Sequence, residues 1–145
     1  MAAPSSPLIP SHGTRKEMIT MFSKLEFFIG GYAGPSYSLT LQFQSGQLQE
    51  QVLLYDADFY RYHTAAKIIP PHQKIPLTEW LAQWDDLKLA DWHPDYQDND
   101  ILDGSHWSLE YTENGVQHQS SGNNRYPKSW RKFLRWLHQR YPEIK

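Results

Sequence analysis

The chain has 145 residues, fourteen basic and sixteen acidic side chains, a net charge of −2 and no cysteine. That length suffices for a single domain with its own core, and the missing cysteine excludes disulfides, thiolate catalysis and thiolate-held metals. No apolar run approaches the roughly 20 residues that a membrane-spanning helix needs.

In chain order, Met1 to Glu17 is rich in Ala, Pro and Ser and has no apolar segment of the secretory type. Residues 1–21 therefore read as a disordered extension, and residues 22–145 as the domain. Met18 and Met21 lie just before the first strand-like run, and a translation start at one of them is expected. Lys24 to Tyr32 is strand-like around Phe27, Phe28 and Ile29, and the Gly30-Gly31 and Gly34-Pro35 pairs break it with a bulge or turn. In Ser36 to Gln44 the apolar Tyr37, Leu39, Leu41 and Phe43 alternate with polar residues, the mark of a half-buried strand. Ser45-Gly46 turns the chain, and Leu48 to Tyr55 returns as a third strand. These three form an antiparallel meander with one apolar face.

Asp56 to Lys67 holds Phe59, Tyr60, Tyr62 and His63 and reads as a short helix or an aromatic loop. Pro70-Pro71 and Pro76 bracket a linker. Trp80, Leu81, Trp84 and Leu87 then recur at helical spacing, with Thr78 as N-cap. Asp91 to Leu102 is an acidic loop carrying Trp92 and Tyr96. From His106 to Glu113, Trp107, Leu109 and Tyr111 share one face. Asn114-Gly115 predicts a hairpin, because its turn needs positive φ at both central residues. The return strand, Val116 to Ser121, is polar enough to be an edge or to carry an exposed outer face. Gly122-Asn123-Asn124 predicts a corner with left-handed backbone, and Pro127 fits the first turn of a helix. On that helix Trp130, Phe133, Leu134 and Leu137 form the core stripe, and Lys128, Arg131, Lys132 and Arg135 form the opposite face. No internal repeat is visible. The order, roughly β-β-β-α-β-β-α, predicts an α+β fold: a mainly antiparallel sheet with helices packed on one face.

The run Asp103-Gly104-x-x-Trp107-Ser108-Leu109, a short hairpin, then Gly122-x-Asn124-x-Tyr126-Pro127 and an aromatic helix resembles a group of small bacterial proteins of uncharacterised function. Their corner typically reads Gly-Ser-Asn-Ala-Tyr-Pro, so Asn123 and Arg125 depart from it. Trp92 and Tyr96 resemble an upstream Trp and Tyr of the same group. The resemblance covers roughly the C-terminal half and implies no reaction.

Chemical motifs are sparse. None of the seven His falls in a metal-ligand spacing, although His106 and His118 flank the hairpin turn and could meet. Asp95, Asp98, Asp100 and Asp103 lack the ordered spacing, central Gly and closing Glu of a calcium loop. Phosphate-cradling and nucleophile-elbow motifs are missing. No catalytic residue, cofactor or metal is therefore assigned. Charge is segregated: acids dominate from Asp85 to Glu110, and bases from Arg125 onward. Either the two regions neutralise each other within the fold, or the last helix presents a basic binding face.

The expected function is a cytoplasmic, non-enzymatic protein-interaction module of the immunity or accessory type, with another protein as partner. The alternatives are a nucleic-acid binder that stacks bases on Tyr126, Trp130 or Trp136, and an enzyme with dispersed catalytic residues. Candidate binding residues are Lys128, Arg131, Lys132, Arg135, Tyr126, Trp92 and Tyr96.

Overall fold

The structure, a computed structural model, describes residues 22–31, 35–55, 67–70, 75–97 and 105–144. The N-terminal extension, the aromatic segment after Asp56 and the aspartates at 98, 100 and 103 lie outside them. The strands are β1 (Phe22–Gly31), β2 (Ser36–Gln44), β3 (Gln47–Tyr55), β4 (Lys67–Ile69), β5 (Asp95–Gln97), β6 (Ser105–Glu113) and β7 (Val116–Asn123). The helices are α1 (Leu77–Ala82) and α2 (Trp130–His138). One seven-stranded sheet runs β4-β3-β2-β1-β6-β7-β5. Every pairing is antiparallel except that of β5 with β7. The fold is thus α+β with a mainly antiparallel sheet.

Alternation fixes the two faces of the sheet. One face reads Val52, Leu39, Phe27, Leu109 and Ser120 straight across the strands, with Glu50, Leu41, Leu25, Tyr111 and His118 as the next row. Both helices cover this face: Phe133 of α2 meets Phe27, and Trp84, just after α1, meets Phe22 and Tyr111. The central row of the other face is polar, Gln51, Thr40, Glu26, Glu110 and Gln119, whereas the row beside it carries Ile68, Leu53 and Phe28. His106 falls on this second face and His118 on the one the helices cover, so the two histidines do not meet.

Two hairpins turn through positive φ at both central residues, Ser45-Gly46 and Asn114-Gly115. Asn124 also has positive φ, 57°, and its Oδ1 accepts the Ser105 N–H at 2.9 Å. The corner before α2 is therefore a main-chain clamp. Gly122 is obligatory there for space: a Cβ would lie 2.6 Å from Trp107 Nε1 and 2.7 Å from the carbonyl oxygens of Arg125 and Tyr96.

Four expectations need correction. Pro76, not Thr78, precedes α1, and the helix gives way after Ala82 to tight 3-10 turns at Trp84–Leu87 and Leu89–Asp91. The acidic segment is not all loop, because Asp95–Gln97 pairs with Ser121–Asn123. Pro127 lies outside α2, in a turn closed by the Trp130 N–H on its carbonyl at 3.1 Å. The core stripe of α2 runs through Phe133, Trp136 and Leu137, whereas Trp130 and Leu134 are only half-buried. A short repeat is also present. Trp80-Leu81-Ala82-Gln83 and Trp136-Leu137-His138-Gln139 face each other with the indoles stacked at 4.0 Å and 3°. Each indole N–H donates to the other tryptophan's carbonyl, at 2.7 and 2.8 Å, and the two glutamine amides bond reciprocally. The two elements thus meet across a local two-fold relation.

Candidate functional site

The corner and the end of the acidic segment enclose a groove of about 660 Å³ lined by Lys88, Trp92, Tyr96, Arg125, Tyr126 and Lys128, among others. Four of the sequence-derived candidates, Trp92, Tyr96, Tyr126 and Lys128, come together in it. Their placement follows from the local fold. Trp92 is half-buried on Trp107 and Phe133, and its Nε1 donates to Ser129 Oγ at 2.8 Å. Trp92 is thus chiefly a wall that ties the acidic segment to the start of α2. Tyr96 is brought in by β5, and its hydroxyl accepts the His93 N–H at 2.9 Å. Tyr126 stands over Trp130 at 4.9 Å, with its hydroxyl bonded to Ser105 Oγ, yet remains 40 % exposed. A fixed, partly exposed ring beside cations is a good contact surface, because little rotamer freedom is left to lose.

Arg131, Lys132 and Arg135 lie outside the groove on the outward face of α2, and all are exposed, as is Lys128. Lys132 Nζ donates to the Asp86 carbonyl at 2.8 Å, a main-chain contact that leaves its charge unneutralised. Among the described residues no carboxylate pairs with Lys128, Arg131, Lys132 or Arg135. Asp85, Asp86, Asp91 and Asp95 are exposed rather than folded over the helix. Neutralisation by the described part of the acidic region is therefore not what the fold provides.

Arg140 is the exception among the C-terminal bases. It is 2 % exposed, and its guanidinium forks onto Glu50 of β3 with contacts of 2.8 to 3.1 Å. Tyr141 donates to the same carboxylate at 2.5 Å. Burial opposes the arginine's charge, but the hydrogen bonds of Glu50 and Tyr141 more than offset this and hold its pKa above the usual value. Burial, then Glu50, pushes the Tyr141 phenol well above its ordinary range. This cluster anchors the C-terminus, so Arg140 is unavailable to a partner. Glu50 carries a sequence signal for it: between Leu48 and Val52 it is a charge at an apolar-face position.

The groove also recruits Lys88, which the sequence did not single out. Its backbone is left-handed, φ 54° and ψ 42°, where the chain reverses between the two 3-10 turns. Lysine is not a residue that marks such a turn, and its strain is held by the buried Leu87 and Leu89 on either side. Two proposed stacking groups drop out: Trp136 is buried, and Trp130 is half-buried beneath Tyr126. Among the described residues no cluster of three or more His, Asp or Glu could hold a metal ion, and no helix is long and apolar enough to cross a membrane. Comparison with known proteins finds no matching family model, curated protein or solved structure.

Proposed function

We propose that the chain is a non-enzymatic interaction module of the immunity or accessory type, a reading supported by its small size, aromatic content and segregated charge, acting in the cytoplasm on an acidic partner protein. The observation that carries this reading is the outward face of α2: Arg131, Lys132 and Arg135, three exposed cations without a described carboxylate partner, with exposed Lys128 and the ring of Tyr126 just before the helix. Like charges along a short helix repel one another, an arrangement that an anionic partner relieves. Arginine and tyrosine are also the residue types that dominate binding energy at interfaces. The groove supplies a recess in which a side chain of the partner seats.

The test is affinity capture from host lysate with wild type and with Arg131→Glu combined with Arg135→Glu, each with and without nuclease. The double variant should fold normally and lose an acidic protein that wild type retains after nuclease treatment. Capture should weaken with salt, since exposed charges are screened over about 8–10 Å at physiological ionic strength. Tyr126, beside Arg125 and Lys128, favours one second reading, single-stranded nucleic acid. Loss of all capture on nuclease treatment would select it. A folded double variant that keeps every partner would remove α2 from the interface.

A further inference from the structure

Among the described residues, strand β7 is paired on its outer side only at its C-terminal end, where β5 lies along Ser121–Asn123. The Ser121 N–H points outward, to the Pro94 carbonyl at 3.1 Å, whereas the Asn124 N–H points inward, to Ser105 at 3.0 Å. Main-chain direction alternates along a strand, so the N–H and C=O groups of Gln117 and Gln119 also face outward. Among the described residues no strand meets them.

Exposed edges are usually guarded by a charge, a proline or a bulge. Val116-Gln117-His118-Gln119-Ser120 has neither charge nor proline, and its register with β6 is unbroken. Val116 is 56 % exposed. Pro94 and β5 close one end of the edge, and the Asn114-Gly115 turn leaves the other open. Room remains for about four residues of extended chain at about 3.3 Å each.

The two sides of that edge differ chemically. On the covered side a cleft of about 260 Å³ runs along β7 between Leu89, Trp92, Pro94 and His118. On the open side Glu26 stands directly opposite Glu110, two like charges in one row. Gln119, at the end of that row, hydrogen-bonds Glu110, and no cation shares the row. The next position outward is therefore suited to a basic side chain.

We propose that the edge of β7 between Val116 and Ser120 is a strand-addition site for an extended segment of a partner protein, which lays a basic side chain beside Gln119 and Glu110 and an aliphatic one into the cleft under Pro94. Main-chain bonds to Gln117 and Gln119 supply the pairing, and the alternating side chains supply the selectivity. This surface is separate from α2, and the inference does not rest on the function proposed for that helix.

The probe is a capped pentapeptide alternating lysine and valine, with a glutamate–valine peptide as control, titrated into the full chain and followed by amide NMR. The lysine peptide should move the Gln117 and Gln119 amide signals and slow their exchange by about tenfold or more. It should bind about tenfold more tightly than the glutamate peptide, a preference that Glu110→Gln reduces. Gln117→Pro should abolish binding while sparing the hairpin, because the lost N–H faces outward, the one side on which an edge strand tolerates proline. Should that variant fail to fold, Gln117→Lys places a guard charge on the edge and should weaken the lysine peptide instead. Arg131→Glu with Arg135→Glu should bind the peptide like wild type, which keeps the two surfaces distinguishable. Signal changes confined to other residues, no change at all, or a folded Gln117→Pro variant that binds as wild type does would overturn the assignment.

Discussion

Replacing Trp80 by Phe tests whether the reciprocal tryptophan pair holds α1 against α2. Trp80 is fully buried, stacks on Trp136 at 4.0 Å, and gives its indole N–H to the Trp136 carbonyl at 2.7 Å. That carbonyl also accepts the Gln139 N–H at 3.3 Å, so the substitution leaves it with one partner rather than none. The hydrogen-bond loss then belongs in the net range of about 0.5–1.5 kcal/mol, not in the range for an orphaned group. Shrinking indole to phenyl in a packed site removes buried apolar atoms worth about 1–2 kcal/mol at about 0.8 kcal/mol per methylene equivalent. The sum is a destabilisation of about 1.5–3.5 kcal/mol. Urea unfolding should show the midpoint falling with the slope unchanged. Trp136→Phe should cost a similar amount, and the double variant should cost less than the sum by about 0.5 kcal/mol or more, as for side chains in direct contact. A Trp80→Phe loss below about 1 kcal/mol, or strict additivity in the cycle, would show that the pair is a coincidence of packing rather than a coupled contact.

Phe133→Ala, at a site with no exposure and ring contacts to Phe27 and Trp92, should cost about 3–5 kcal/mol by the same assay. Gly122→Ala should cost about 1–3 kcal/mol through overpacking, and the Trp107 indole N–H, now on the Arg125 carbonyl at 2.9 Å, should exchange faster. Burial, helped by Glu113, raises the Tyr111 phenol from 10.0 to about 12. The folded state thus keeps its proton where the unfolded chain loses it; stability should be intact below pH 10 and fall as pH climbs towards 12, seen in alkaline urea titrations. Tyr111→Phe should make that fall shallower and at neutral pH should change stability by less than about 1 kcal/mol, because the buried hydroxyl has no hydrogen-bond partner among the described residues.

The long strands were legible because their apolar residues alternate, and Asn114-Gly115 and Asn124 were legible because few residues accept positive φ. The sequence pattern places the stripe on α2 three residues early. Its buried set is Phe133, Trp136, Leu137 and Arg140, the same spacing shifted along the helix. Arg140 disguises it, since a lone arginine does not look like a core residue until Glu50, some 90 positions away, is placed beside it. β5 was hidden for another reason. Asp95-Tyr96-Gln97 has no strand pattern of its own and is extended only because the end of β7 pairs with it. The groove was half visible: its aromatic members stood out, whereas Lys88 enters through a backbone conformation that its side chain does not advertise.

The position of β1 bears on how the chain emerges during synthesis. β1 is the central strand, yet the partner for its second edge, β6, starts at Ser105, 74 residues after β1 ends at Gly31. At about 5–20 residues per second, that edge waits about 4–15 seconds on the ribosome. Meanwhile β1, β2 and β3 can close as successive hairpins, leaving Leu25 and Phe27 on a sheet with one open side and without α2, whose Phe133 later packs on Phe27. The most exposed moment of this protein's life is therefore its own translation. Slow codons between β3 and β6 should lengthen that moment, and holdase chaperones that grip extended apolar chain should find their target on β1.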